Sequence, residues 1–168
     1  MGMVPRILGI DPGSRITGFG VVDVEGSRMR LVAAGCVRSV ADDFPSRLKI
    51  VYDGVLEVVG EYRPEAMAIE QVFVHKNADS ALKLGQARGA AICAGLARDL
   101  SIYEYATRQV KQALVGKGGA DKLQVQHMVK MLLNFHAELP LDASDALAVA
   151  MCHAHYQQTR QRYAVSVA

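Results

Sequence analysis

The sequence predicts an α/β fold: a mixed five-stranded sheet flanked by helices. Three observations carry this. The chain opens with three short apolar runs separated by turn residues, a meander of consecutive strands. The apolar period then lengthens to that of a helix. After that, two further short apolar runs alternate with helical segments, which sets parallel strands beside the opening meander.

The elements follow in order. Ile7 to Ile10 is an apolar run stopped by Asp11-Pro12-Gly13, a turn signal. Ile16 to Asp23 and Met29 to Arg38 are the next two strands, joined through Glu25-Gly26-Ser27. From Phe44 to Tyr62, Leu48, Val51, Tyr52, Val55, Val58 and Val59 recur at helical spacing, and Arg63-Pro64 ends the helix. Ala66 to Phe73 is a strand, Asn77 to Arg98 a long helix rich in Ala and Gly, and Ile102 to Tyr105 the fifth strand. Thr107 is the expected N-cap of a short helix to Val115. Gly116-Lys117-Gly118-Gly119 breaks the chain before helices over Asp121 to Phe135 and Asp142 to about Thr159. Residues 1–160 are expected to form one domain, with 161–168 a frayed tail.

Composition narrows the class. Of 168 residues, 51% are hydrophobic and 21% charged, which supports a packed core and excludes general disorder. No apolar run approaches the roughly 20 residues that span a bilayer. Asp11 interrupts the first apolar stretch, unlike a signal peptide, and Arg6 stands where an N-myristoylation signal needs Ser or Thr. A soluble, cytoplasmic protein is expected. Cys36, Cys93 and Cys152 lack CxxC spacing and are expected to be small buried hydrophobes.

The net charge is only +2, but it is unevenly spread. Between residues 39 and 65, Asp42, Asp43, Asp53, Glu57, Glu61 and Glu65 outnumber Arg47, Lys49 and Arg63. Between 106 and 130, Arg108, Lys111, Lys117, Lys122 and Lys130 face only Asp121. The second segment suits a polyanion, although a solvated basic face would account for the charge alone.

Four carboxylates stand in unusual places. Asp11 ends the first strand, where it is also an ordinary turn acid. Glu70 shares a strand face with Ala66, Ala68 and Val72, a costly position for an unpaired charge. Asp142 and Asp145, at i and i+3, open an Ala-rich helix, where a capping box would also explain them. Parallel first and fourth strands bring Asp11 and Glu70 to one carboxyl edge. Two carboxylates about 4 Å apart repel by about 4 kcal/mol at an effective dielectric of 20, so a divalent cation is called for. An all-oxygen set favours Mg²⁺ or Mn²⁺ over zinc. Acids beside a basic segment suit metal-assisted phosphodiester hydrolysis.

Gly9-Ile10-Asp11-Pro12-Gly13-Ser14-Arg15-Ile16-Thr17-Gly18 resembles the opening motif of the RuvC family, the crossover (Holliday) junction endodeoxyribonucleases of bacteria. Ala68 to Phe73, Lys76 to Gly89, Arg108 to Gln112, Val125 to Val129 and Asp142 to Ala148 resemble its later motifs in order. The resemblance extends to about His155. It implies a ribonuclease-H-like fold, a homodimer, and catalytic acids Asp11, Glu70, Asp142 and Asp145 coordinating Mg²⁺. It further implies paired symmetric nicks in a four-way junction during recombination and DNA repair, and cooperation with the RuvA–RuvB branch-migration machinery. Lys111 and Lys122 match lysines of the active site, Lys122 with a catalytic role, and Phe73 matches an aromatic that stacks at the junction. Lys76, Arg108 and Lys117 join the expected DNA-binding set.

Other features weigh less. An i+4 stripe of Ala81, Gly85, Gly89, Cys93 and Ala97 permits close packing, either on the chain's own sheet or on a second copy. His153 and His155, two apart on a helix, make a poor metal pair. Gly118 follows Lys117 where a Walker A loop needs Ser or Thr, and Gly18-Phe19-Gly20 lacks the third glycine of a dinucleotide loop. The alternatives are an actin-like ATPase or sugar kinase, whose first phosphate loop is similar but which needs two domains, and a non-catalytic junction-binding protein.

Overall fold

The computed structural model describes residues 4–71 and 77–166. Five strands, β1 (Arg6–Asp11), β2 (Ile16–Glu25), β3 (Arg28–Arg38), β4 (Ala66–Glu70) and β5 (Ser101–Tyr105), form one sheet in the order β3-β2-β1-β4-β5. The opening meander is antiparallel, while β1–β4 and β4–β5 are parallel. Both relationships follow from the connections: tight turns join the first three strands, and helices carry the chain back for the others.

Two apolar layers sandwich the sheet. On one face α1 (Phe44–Tyr62) and α2 (Ala78–Leu96) bury Val51, Val55, Ala91 and Ala94 against Leu8, Ile10, Met67 and Ile69. On the other, α3 (Thr107–Val115), α4 (Lys122–Leu132) and α5 (Leu141–Ser166) bury Val110, Leu114, Val125, Val129, Leu147 and Met151 against Ile7, Val22 and Ala68. Strand alternation sends Ile7 to one layer and Leu8 to the other, so both faces of β1 are covered.

Local signals set the helix ends. Asp43 caps α1 by accepting from Ser46 N at 2.8 Å, and Asn77 caps α2. Asp121 caps α4, with Gln124 returning the bond to its backbone. Thr107 is not the cap of α3. That position is Ala106, whose N–H donates to the Gln109 side chain at 2.8 Å. Asp142 lies within the first turn of α5 rather than capping it. α5 also continues through Ser166 instead of fraying from Gln161; Gln158 Nε2 donates to Gly26 O at 2.6 Å, tying this end to the β2–β3 turn. Of the cysteines only Cys152 is buried; Cys36 is half-buried, and Cys93 is exposed because α2 packs through Ala87, Ala91 and Ala94 on another face.

Candidate active site

The site forms where α5 meets the carboxyl edge of β1. Glycines make the approach possible. A Cβ on Gly18 would stand 2.0 Å from Asp142 O, and one on Gly9 would stand 1.9 Å from Ala146 O. Gly18 pairs with Asp11 across the β1–β2 ladder. The helix backbone therefore rests directly on the sheet, and the N-terminal end of α5 carries Asp142 and Asp145 to Asp11. Composition offered one clue to this use: both glycines interrupt strands, where they mark close backbone approach.

Asp11 shows the electrostatic consequence. Its carboxyl is pushed up to about 7, first by burial, then by the charges of Asp145, Asp142 and Glu70, with Lys122 opposing them. Glu70, at the end of β4, is half-buried while Ala66 and Ala68 behind it are buried. Its Oε1 accepts from the Thr107 hydroxyl, and its backbone oxygen accepts from Arg88 Nε at 3.2 Å. The sequence suggests Thr107 as a helix cap and not as a site residue; the cap position lies one residue earlier, which leaves its hydroxyl for Glu70.

Lys122 Nζ lies 2.8 Å from Asp145 Oδ2, and this contact raises the lysine above its ordinary range. A cavity of about 200 Å³ brings together Glu70, Thr107, Lys111, Lys122 and Asp145 over an apolar floor of Val110, Val125 and Ala148. Arg108 and Lys117 do not line it. Both are exposed, and Arg108 lies against Gly118 in the α3–α4 loop. Phe73 and Lys76 lie outside the described residues.

Among the described residues, no three His, Cys, Asp or Glu side chains stand where they could jointly hold an ion. The acids are gathered but not closed: Asp145 is turned to Lys122 and Glu70 to Thr107. His153 takes no part. It is buried, its Nδ1 lies 2.6 Å from the Tyr105 hydroxyl oxygen, and its ring stacks on Tyr103 at 4.2 Å. His155 is exposed.

A five-stranded 3-2-1-4-5 sheet with acids at the ends of β1 and β4 and on a helix crossing them defines the ribonuclease-H-like nucleases, to which the resolvases belong. Comparison with known proteins makes the family specific. Residues 7–153 match the family model described as "Crossover junction endodeoxyribonuclease RuvC", and the chain belongs to that family. It is 65% identical over 157 residues to the crossover junction endodeoxyribonuclease RuvC of Methylococcus capsulatus, covering 94% of each chain. It is 58% identical to that of Edwardsiella ictaluri, covering 93% of this chain and 90% of the relative. The structure of Thermus thermophilus RuvC in complex with a Holliday junction substrate superposes with a TM-score of 0.87 at 37% identity, over 92% of this chain and 96% of that one. The yeast mitochondrial resolvase Ydc2 shares the fold, with a TM-score of 0.71 at 15% identity. The chain is thus a nuclease of the Holliday-junction-resolving class. Among the described residues no helix is long and apolar enough to cross a membrane.

Proposed function

We propose that the chain resolves four-way DNA junctions by Mg²⁺-dependent phosphodiester hydrolysis, with Asp11, Glu70, Asp142 and Asp145 as the catalytic, metal-holding acids. The observation that carries this is the Asp11 carboxyl, pushed up to about 7 by burial and by the other three. Burial is the larger cause and the neighbouring carboxylates add to it; a bound cation would offset both. The donor set is all carboxylate oxygen, which fits a hard divalent ion, with Mn²⁺ able to substitute. Ions held there would stabilise the charge that develops on the attacking and leaving oxygens.

The chain's own residues have distinct parts. Lys122, at the start of α4, offsets the carboxylate charge beside Asp145. Lys111, in the same cavity and without an acidic partner among the described ion pairs, is placed for a backbone phosphate. Arg108 and Lys117 extend this basic flank, and Phe73 and Lys76 follow β4 in sequence.

The reading extends to a cytoplasmic homodimer that works with RuvA–RuvB, its nuclease domain spanning residues 1–160. Two opposed nicks call for two sites related by a two-fold axis. The stripe on α2 supports a second copy: among the described residues a Cβ at Gly85 or Gly89 meets nothing within 4 Å, so the sheet does not occupy that face.

Asp11→Asn and Glu70→Gln test the assignment. Each should abolish cutting of a synthetic junction in Mg²⁺ and leave junction binding in place. Full cutting by either variant removes that residue from the machinery. ATP hydrolysis by the wild type, or junction binding without nicking, would favour the alternative classes.

A further inference from the structure

A second cavity, of about 340 Å³, lies at the same sheet edge on the opposite flank from Lys111 and Lys122. Arg15, Arg38 and Arg47 line it, with Ile16, Ser39 and Val40. Three guanidinium groups repel one another unless an anion joins them. Among the described residues no ion pair involves any of the three. Arg47 Nε donates to Ala41 O at 3.2 Å, which fixes its stem and leaves its terminal nitrogens available. The nearby acid Asp43 is engaged in capping α1, and Asp42, exposed in the same loop, does not line the cavity.

The cavity is fastened to the catalytic edge. Ile16 pairs with Arg38 in the β2–β3 ladder. Ser39 N donates to Arg15 O at 2.9 Å, and Ser39 Oγ donates to Ser14 O at 3.2 Å. The turn that follows Asp11 is therefore tied to the end of β3, and the arginines cannot drift from the acids. β3 stands two strand spacings from β1, about 10 Å, which is roughly three base pairs of duplex rise. Four carboxylates repel a phosphate chain, so DNA drawn across them needs cations on both sides. The lysines of α3 and α4 serve the side of β5. Guanidinium groups bind phosphate oxygens in bidentate fashion and suit this use.

We infer that Arg15, Arg38 and Arg47 form a second phosphate subsite that holds the DNA backbone about three base pairs from the acids, on the side away from Lys111 and Lys122. The inference rests on the reading of the chain as a junction nuclease. It adds that the nucleic acid crosses the acids from the β5 flank to the β3 flank, clamped at both ends.

The test is equilibrium binding of the full chain to a labelled four-way junction, in Ca²⁺ to suppress cutting, across a salt series. Arg15→Gln and Arg38→Gln should each lower the slope of log K against log salt by about 0.9, which is about eightfold weaker binding at about 0.1 M salt. Arg15→Lys should restore most of the slope. Arg98→Gln, exposed at the opposite sheet edge, removes the same charge elsewhere and should leave the slope unchanged. Unchanged slopes in the Arg15 and Arg38 variants, with a reduced slope in Lys111→Ala, overturn the subsite and leave the nuclease reading standing. An equal fall in Arg98→Gln reduces the effect to bulk charge and also overturns it. A wild type that does not bind the junction overturns the nuclease reading and the subsite with it.

Discussion

Gly18 decides how closely α5 approaches Asp11, and Gly18→Ala perturbs that distance alone. The added Cβ would stand 2.0 Å from Asp142 O, 2.3 Å from Asp142 C and 3.0 Å from Ala143 N, whereas ordinary contact begins at 3.4 Å. The shortfall, 3.4 less 2.0, is 1.4 Å, and all three atoms are backbone. β2 cannot yield, because Gly18 is paired to Asp11 on one side and Cys36 on the other. The N-terminal end of α5 must therefore lift by about 1.4 Å, with Asp142 and Asp145 on it. Overpacking of this kind costs about 1–3 kcal/mol. At about 2–4 °C per kcal/mol for a chain of this size, the melting temperature should fall by about 2–12 °C. Misplacement of reacting groups by about 1 Å costs about a hundredfold in rate. Junction cutting in Mg²⁺ should drop by that order, while binding in Ca²⁺, carried by basic residues elsewhere, should hold. Gly60→Ala is the control: among the described residues its Cβ meets only Arg98 Nη2, at 3.7 Å, and on an exposed helix position it should stabilise by about 0.5–1 kcal/mol without touching activity. A folded Gly18→Ala protein that cuts within about threefold of wild type would refute the argument that this glycine positions the acids.

Three further outcomes follow from the site. The Asp11 carboxyl at about 7 holds its proton more tightly in the folded chain than in the unfolded one, so its contribution to metal-free stability is complete at low pH and lost as pH rises from about 4 through about 7. Denaturant titrations should show that loss in wild type and not in Asp11→Asn; parallel pH curves for the two would refute it. Thr107→Val removes the hydroxyl that Glu70 accepts, and loss of such an outer partner typically costs about 10–100-fold in metal affinity. Mn²⁺ binding to the free protein should weaken accordingly and recover in Thr107→Ser, whereas equal affinity in all three proteins would make the contact incidental. At Gly89 an added Cβ meets nothing within 4 Å among the described residues, so Gly89→Leu should fold normally yet sediment as a monomer and cut poorly; a stable dimer would move the interface off this face of α2.

Much of this was legible in the sequence, for a physical reason. Element types depend on local period and turn chemistry, so the strands and helices could be read from runs such as Leu48 to Val59 and from Asp11-Pro12-Gly13. The parallel pairing of β1 with β4 followed from the helix between them, and that pairing put Asp11 and Glu70 at one edge. What the sequence could not settle were contacts made across long separations by single atoms. Whether Thr107 caps α3 or reaches Glu70 depends on a one-residue shift of the helix start. The packing use of Gly18 and Gly20 could not be read from the sequence, because it requires the backbone of α5 to lie upon them, more than a hundred residues later in the chain. Arg15, Arg38 and Arg47 stood among mixed charges until the β2–β3 ladder and the start of α1 brought them around one cavity. The sequence by itself determined the kinds of elements and the chemistry they carry, since these are local. Tertiary structure alone decided the closeness of approach and the sharing of charge that push Asp11 up, since burial and Coulomb repulsion exist only between groups the fold has brought together.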